Sequence, residues 1–187
     1  MKTAIIIHWM PSKEDYFNPR GDTQTCCHWL PWIQKQLIMN GILAQTIEMP
    51  TPYLPQYNEW KRELERFDLN ENIILIWHSW GAGFIVKRLS ENNAKVGKVA
   101  LVAPRINAQW IDSYDFFDFK IDKDLVKKTE NTRVFISRDD SETIRDFNKL
   151  KKEIKNLDIL EFENKGHFCL KDLGTRVFPE LLDYLIN

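Results

Sequence analysis

The stretch that most constrains this chain is Ile73-Ile74-Leu75-Ile76-Trp77-His78-Ser79-Trp80-Gly81-Ala82-Gly83. An unbroken apolar run, rich in isoleucine, stops at His78-Ser79. Such a run suits a strand buried on both faces. Small residues follow, and Phe84 to Leu89 then reads as a helix. The stretch therefore predicts a strand, a sharp turn carrying a serine, and a helix. Residues beside such a turn must be small, because the strand and helix backbones come close together there. Gly81 meets that need two residues after the serine. Trp77 stands two residues before it, where glycine is expected, so the fold has to find room for an indole beside the turn.

The rest of the chain repeats the same unit. Strands are expected at Ala4–His8, Ile42–Ile47, Ile73–Trp77, Val99–Ala103, Arg133–Ser137 and Leu157–Phe162. Helices are expected at Trp29–Met39, Gln56–Phe67, Gly81–Ser90, Glu142–Ile154 and Gly174–Ile186. Pro31 fits the first turn of the first of these, and Asn40-Gly41 closes it. Strands alternating with helices predict an α/β three-layer sandwich: about six parallel strands in one sheet, with helices on both faces. No repeat, linker or low-complexity tract interrupts the 187 residues, which suits a single domain spanning 1–187. Segment 105–132 is less regular. Trp110, Tyr114, Phe116, Phe117 and Phe119 interleave with aspartates there, before a short helix expected near Lys123–Lys128. It reads either as a cap over a pocket or as a surface loop with an aromatic anchor.

Composition narrows the partners. Charged residues make up 28% and the formal net charge is -1. That balance offers no general electrostatic grip on nucleic acid or on an anionic membrane. The apolar run at Ala4–Ile7 is too short for a signal or a membrane span, and no other stretch approaches the ~20 apolar residues a spanning helix needs. Cys26, Cys27 and Cys169 form no disulfide framework, so free thiols in the cytoplasm are expected. Together with His8, His28 and His78 they lack zinc-type spacing, and Gly81-Ala82-Gly83 matches neither a P-loop nor a dinucleotide fingerprint. No metal and no cofactor are expected, and the chain reads as a monomer or weak homodimer.

In a parallel sheet, chemistry collects just past the C-terminal ends of the strands. Ser79 follows the third expected strand, Ser137-Arg138-Asp139-Asp140 the fifth, and Gly166-His167-Phe168 the sixth. The order Ser, Asp, His is that of α/β-hydrolases, and Ser79 occupies their nucleophile elbow. A serine hydroxyl needs an imidazole to take its proton and a carboxylate to hold that imidazole in the right tautomer. Each residue alone has an ordinary explanation: Ser79 as a helix cap, the aspartates as turn and N-cap residues, His167 as a core or surface histidine. Three matches in the right order favour a catalytic triad. Spacing alone leaves Asp139 and Asp140 both open as its acid.

The stretches Ile5-Ile6-Ile7-His8, His28-Trp29-Leu30-Pro31-Trp32-Ile33, His78-Ser79-Trp80-Gly81, Ser137-Arg138-Asp139-Asp140 and Gly166-His167-Phe168 carry a resemblance. Across nearly its whole length the chain resembles the small serine hydrolases related to retinoblastoma-binding protein 9. That resemblance implies Ser79 as nucleophile, Asp140 as orienting acid and His167 as general base. The oxyanion hole is expected from the backbone N–H groups of Trp80, the residue after the nucleophile, and Trp9, in the loop after the first strand. Trp9, Met10, Trp80, Trp110 and Phe117 are the expected pocket residues. The implied function is hydrolysis of a small ester, in preference to an amide, through an acyl-enzyme. The alternative is a weak or inactive hydrolase scaffold acting in protein interaction.

Overall fold

A computed structural model describes residues 1–107 and 114–187. Six strands form one wholly parallel sheet: β1 (Thr3–Ile7), β2 (Leu43–Ile47), β3 (Ile73–His78), β4 (Val96–Val102), β5 (Thr129–Ser137) and β6 (Asp158–Phe162). Their spatial order is β2-β1-β3-β4-β5-β6. The chain steps outward from β1 to β2, then returns to the other side of β1 for β3. The gap between β1 and β3 is therefore the topological switch point, where open α/β sheets place their ligands. Ile7 pairs with Trp77 at that gap, and His78 pairs with Val102 on the far side. Every residue of β3 and β4 is buried, which explains their apolar runs.

Successive side chains point to opposite faces of a strand, and each face has its own core. Ile5, Ile7, Leu75 and Trp77 face one layer, with Trp60, Phe84, Phe147 and Leu150. Helices α3 (Tyr57–Leu64), α4 (Trp80–Glu91) and α6 (Ser141–Glu153) supply that layer. Ala4, Ile6, Ile74 and Ile76 face the other, against α2 (Leu30–Met39) and α8 (Pro179–Ile186). Burying a large aliphatic or aromatic side chain contributes about 1.5–3 kcal/mol, so this two-sided core carries most of the fold's stability.

The short elements depart most from the sequence pattern. The loop after β1 holds α1 (Lys13–Tyr16), capped by the Ser12 hydroxyl, and a 3-10 turn at Gln24–Cys26. A one-turn helix α5 lies at Tyr114–Phe117, and a 3-10 turn rather than an α-helix at Leu125–Lys128. β5 begins four residues before Arg133, because the polar Thr129–Thr132 pairs with β4. The expected helix from Gly174 starts only at Pro179. Gly174 (φ 67°) instead terminates α7 (Leu170–Leu173), and Pro179 opens α8. Among the described residues no helix is long and apolar enough to cross a membrane.

Gly83, in the first turns of α4, sits hard against the chain that leaves β4. A Cβ there would lie 2.2 Å from the Arg105 carbonyl oxygen and 2.5 Å from Phe117 Cε1. Gly83→Ala is expected to destabilise the fold by about 3 kcal/mol, read as a lower denaturation midpoint. A midpoint within error of the wild type would show that the two backbones are not in contact there.

Candidate active site

β3 ends at His78, and the chain turns at Ser79 with φ 57° and ψ −118°, a conformation that L-residues rarely adopt. Three backbone bonds hold it. Ser79 N–H donates to the Val102 carbonyl at 2.8 Å, and the Ser79 carbonyl accepts from Arg105 N–H at 3.1 Å and Ala82 N–H at 3.0 Å. Trp77 does not crowd this turn. Its indole is fully buried in the core and packs on Phe84 with ring centroids 5.3 Å apart. Gly81 makes the room: a Cβ there would lie 3.3 Å from Trp77 Cε3 and 3.0 Å from the His8 carbonyl oxygen. The glycine expected before the serine is thus replaced by an indole whose space comes from the glycine after it.

The loop after β6 brings His167 over Ser79. The Ser79 hydroxyl donates to His167 Nε2 at 2.7 Å, and His167 Nδ1–H donates to Asp140 Oδ2 at 2.6 Å. Asp140 is also the N-cap of α6. Its carboxylate accepts from the Thr143 N–H (3.1 Å) and the Thr143 hydroxyl (2.6 Å). Burial pushes the Asp140 carboxyl up, but the hydrogen bonds from His167 and Thr143 outweigh it and hold the group far below the usual carboxylate range. Asp139 has a different task. It accepts from the Ser137 hydroxyl at 2.5 Å and from Gly166 N–H at 3.0 Å, tying down the loop that carries His167.

The His167 peptide is held at both ends. Its N–H donates to Asp172 Oδ2 at 3.0 Å, and its carbonyl accepts from His78 Nε2–H at 2.8 Å. Arg105 braces the opposite flank. Its backbone holds the Ser79 carbonyl, while its buried guanidinium reaches Asp146 (3.1 Å) and Glu142 (2.5 Å) on α6, the helix that Asp140 caps. Residue patterns do not reveal His78, Thr143, Arg105 and Asp172 as site residues. His78 adjoins Ser79, but its hydrogen-bond partner lies 89 residues away.

Trp80 opens α4, and a first-turn N–H has no acceptor within its own helix, so it is open to an incoming oxygen. The Trp9 carbonyl accepts from His8 Nδ1–H at 2.6 Å, and His8 Nε2 accepts from Met49 N–H at 3.0 Å, which fixes that loop over the end of β1. The Trp80 ring meets Phe117 edge-on at 4.9 Å. Trp9, half-buried, lies across the His28 ring at 3.9 Å. A cavity of about 560 Å³ opens beside these groups. Trp9 lines it. Met10, Trp80 and Phe117 do not, and Ser79 and His167 lie outside its wall. Trp110 lies outside the described residues.

The serine hydrolase family model matches residues 21–187, and the chain belongs to that family. It is 28% identical to YdeN of Bacillus subtilis (strain 168) over 168 residues, covering 86% of this chain and 87% of that one. The crystal structure of the B. subtilis ydeN product superposes with a TM-score of 0.81 at 25% identity, over 99% of this chain and 97% of that one. Est1E of Butyrivibrio proteoclasticus, solved with ferulic acid bound, shares the fold at a TM-score of 0.63 and 12% identity, over 98% of this chain and 85% of Est1E. The molecule is an α/β-hydrolase in fold.

Three histidines around the site are held neutral. Burial lowers His8 and His28 to about 4 and takes His78 well below its ordinary value. His8 protonates near 6.5 once unfolded. Between pH 6.5 and about 4 the unfolded chain therefore binds more protons, and stability falls as pH drops through that window. The effect is on the order of 3 kcal/mol for His8 alone. Denaturant midpoints across this range should decline on acidification, and His8→Gln should flatten the slope. An unchanged slope in that variant would mean that His8 is not the buried neutral group.

Proposed function

We propose that this protein hydrolyses a small ester through an acyl-enzyme on Ser79. The observation that carries the reading is the unbroken hydrogen-bonded line from the Ser79 hydroxyl through His167 to Asp140, at 2.7 and 2.6 Å, starting from a turn with positive φ. In this reading His167 Nε2 takes the hydroxyl proton as Ser79 Oγ attacks the ester carbonyl. Asp140 keeps Nδ1–H pointed at itself and stabilises the imidazolium. The carbonyl oxygen, now an oxyanion, is met by the N–H groups of Trp80 and Trp9. His167 then returns the proton to the departing alkoxide. Water attacks the acyl-enzyme with the same imidazole as base, and Ser79 leaves with its proton restored.

Trp80, directly after Ser79, meets the Phe117 ring edge-on, an aromatic surrounding that suits an acyl group of apolar character. Segment 105–132 acts as a cap in this reading, with Phe116 and Phe117 as its anchors on α4. An ester is the substrate class because its alkoxide departs more readily than an amide nitrogen. The chemistry requires no metal and no cofactor.

A fluorophosphonate probe should label the wild-type protein and leave Ser79→Ala unlabelled. Folded wild-type protein that takes no label would remove the proposal, and labelling that survives Ser79→Ala would move the nucleophile elsewhere. The two aspartates make a second test with p-nitrophenyl esters. Asp140→Asn should lower kcat by about 10⁴-fold, because the imidazole loses its tautomer. Asp139→Asn removes only one anchor of the loop and should cost about tenfold or less. Equal losses would reverse their roles.

A further inference from the structure

An N-cap carboxylate accepts a backbone N–H from the first turn of its helix. Asp140 does so with one oxygen, taking the Thr143 N–H on Oδ1 at 3.1 Å. Its other oxygen, Oδ2, meets two more donors: His167 Nδ1–H at 2.6 Å and the Thr143 hydroxyl at 2.6 Å. The Thr143 oxygen also lies 3.3 Å from His167 Nδ1. Thr143 is completely buried. Among the described residues its hydroxyl has hydrogen-bond partners only in Asp140 and His167. A hydroxyl enclosed with those two groups acts on both of them.

Negative charge on Oδ2 is what stabilises a protonated His167. A second donor on that oxygen takes up part of the same charge. Geometry adds to this. A carboxylate has no hydrogen to give, so the Thr143 hydrogen points at Oδ2. Oγ1, Oδ2 and Nδ1 form a triangle with sides of 2.6, 2.6 and 3.3 Å. A hydrogen on the side from Oγ1 to Oδ2 is nearer Nδ1 than Oγ1 is. The positive end of the O–H dipole therefore faces the ring and opposes a positive charge there. Both effects have one sign: they weaken the hold of Asp140 on a protonated imidazole.

The other titratable and charged groups around His167 have separate tasks. His78, at the end of β3 with its ring 5.3 Å away, and His28, in the loop after β1, are neutral near pH 7 because burial lowers both. Asp172 on α7 is tied to the His167 N–H, and Asp139 to the Gly166 N–H. Burial keeps Cys169 a thiol. Arg105 is paired with Glu142 and Asp146 along α6. Thr143, by contrast, carries no charge and touches both the imidazole and its carboxylate.

We infer that Thr143 is a positioning residue that limits the pull of Asp140 on His167, so that the imidazole becomes a free base at lower pH than it would beside Asp140 alone. Its use in catalysis rests on the proposed esterase reading, where it widens the pH range over which Ser79 is activated. Its effect on the Asp140–His167 pair does not.

Thr143→Val keeps the side-chain shape and the backbone bond to Oδ1, and removes only the hydroxyl. The imidazole C–H protons are titrated by NMR, and the His167 signal is identified by its loss in His167→Gln. In Thr143→Val its midpoint should rise by about half a pH unit or more, and the Nδ1–H resonance should move downfield as the bond to Asp140 strengthens. Thr143→Ser keeps the hydroxyl and should match the wild type in both. An unchanged or lower midpoint in Thr143→Val overturns the inference. An equal rise in Thr143→Ser also overturns it, because the methyl group would then be what matters. Should valine prevent folding, Thr143→Cys carries the same expectation, since a thiol is a weak donor. If fluorophosphonate labels the protein, the acid limb of kcat/KM for a p-nitrophenyl ester should rise with the NMR midpoint, and a fixed limb overturns the inference. If no label is taken, the esterase reading falls, and the NMR midpoints still decide whether Thr143 acts on the Asp140–His167 pair.

Discussion

The backbone of Ser79 is held at φ 57° by bonds to β4 and to the chain that leaves β4, and the rest of the site is built outward from that turn. A serine in this conformation costs of order 1–3 kcal/mol of strain, so the surroundings must over-determine it. They do so with a strand buried on both faces, a helix that starts immediately after the turn, and two close backbone approaches at Gly81 and Gly83. The strain has a geometric return. It lifts the Ser79 hydroxyl above the sheet edge, where His167 meets it, and leaves the first N–H of α4 next to the same point.

The four histidines of the chain divide into one that touches the nucleophile and three that organise the space around it. His8 anchors the loop after β1, His78 holds the carbonyl of His167, and His28 supports the start of α7 through the Leu170 N–H. Burial keeps these three neutral, so each presents one donor and one acceptor in a defined tautomer. That is useful in a crowded site. A neutral imidazole at His78 holds the His167 carbonyl without placing a positive charge beside the His167 ring, 5.3 Å away. The aspartate pair divides in the same way, with Asp140 on the imidazole and Asp139 on the backbone of the loop that presents it.

Much of the fold could be read along the chain because a doubly covered parallel sheet writes its strands as apolar runs. The six strands and four of the five longer helices lie within a few residues of where periodicity puts them, while α8 begins five residues late, at Pro179. The short pieces were hidden for a physical reason. A one-turn helix such as Lys13–Tyr16 or Leu170–Leu173 has no room for a periodic pattern, and only its caps mark it. The start of β5 was hidden because Thr129–Thr132 is polar and earns its place by pairing with β4, not by burial of an apolar face.

The sequence by itself determined the order of the parts: a serine, an aspartate pair and a histidine, each placed just beyond a strand of one parallel sheet. Local chemistry decides that much, since apolar runs and turn residues are read from neighbours in the chain. Spacing left both aspartates open and the resemblance implied Asp140; the tertiary structure has Asp140 on the imidazole and Asp139 on the Gly166 N–H, because both occupy one turn and only the position of the His167 loop separates them. It also decided how Trp77 fits, since the space for its ring comes from Gly81 and the core around Phe84. His78 and Arg105 entered the site for the same reason. Their partners are distant in sequence, and contacts of that kind exist only once the sheet has brought the strand ends together.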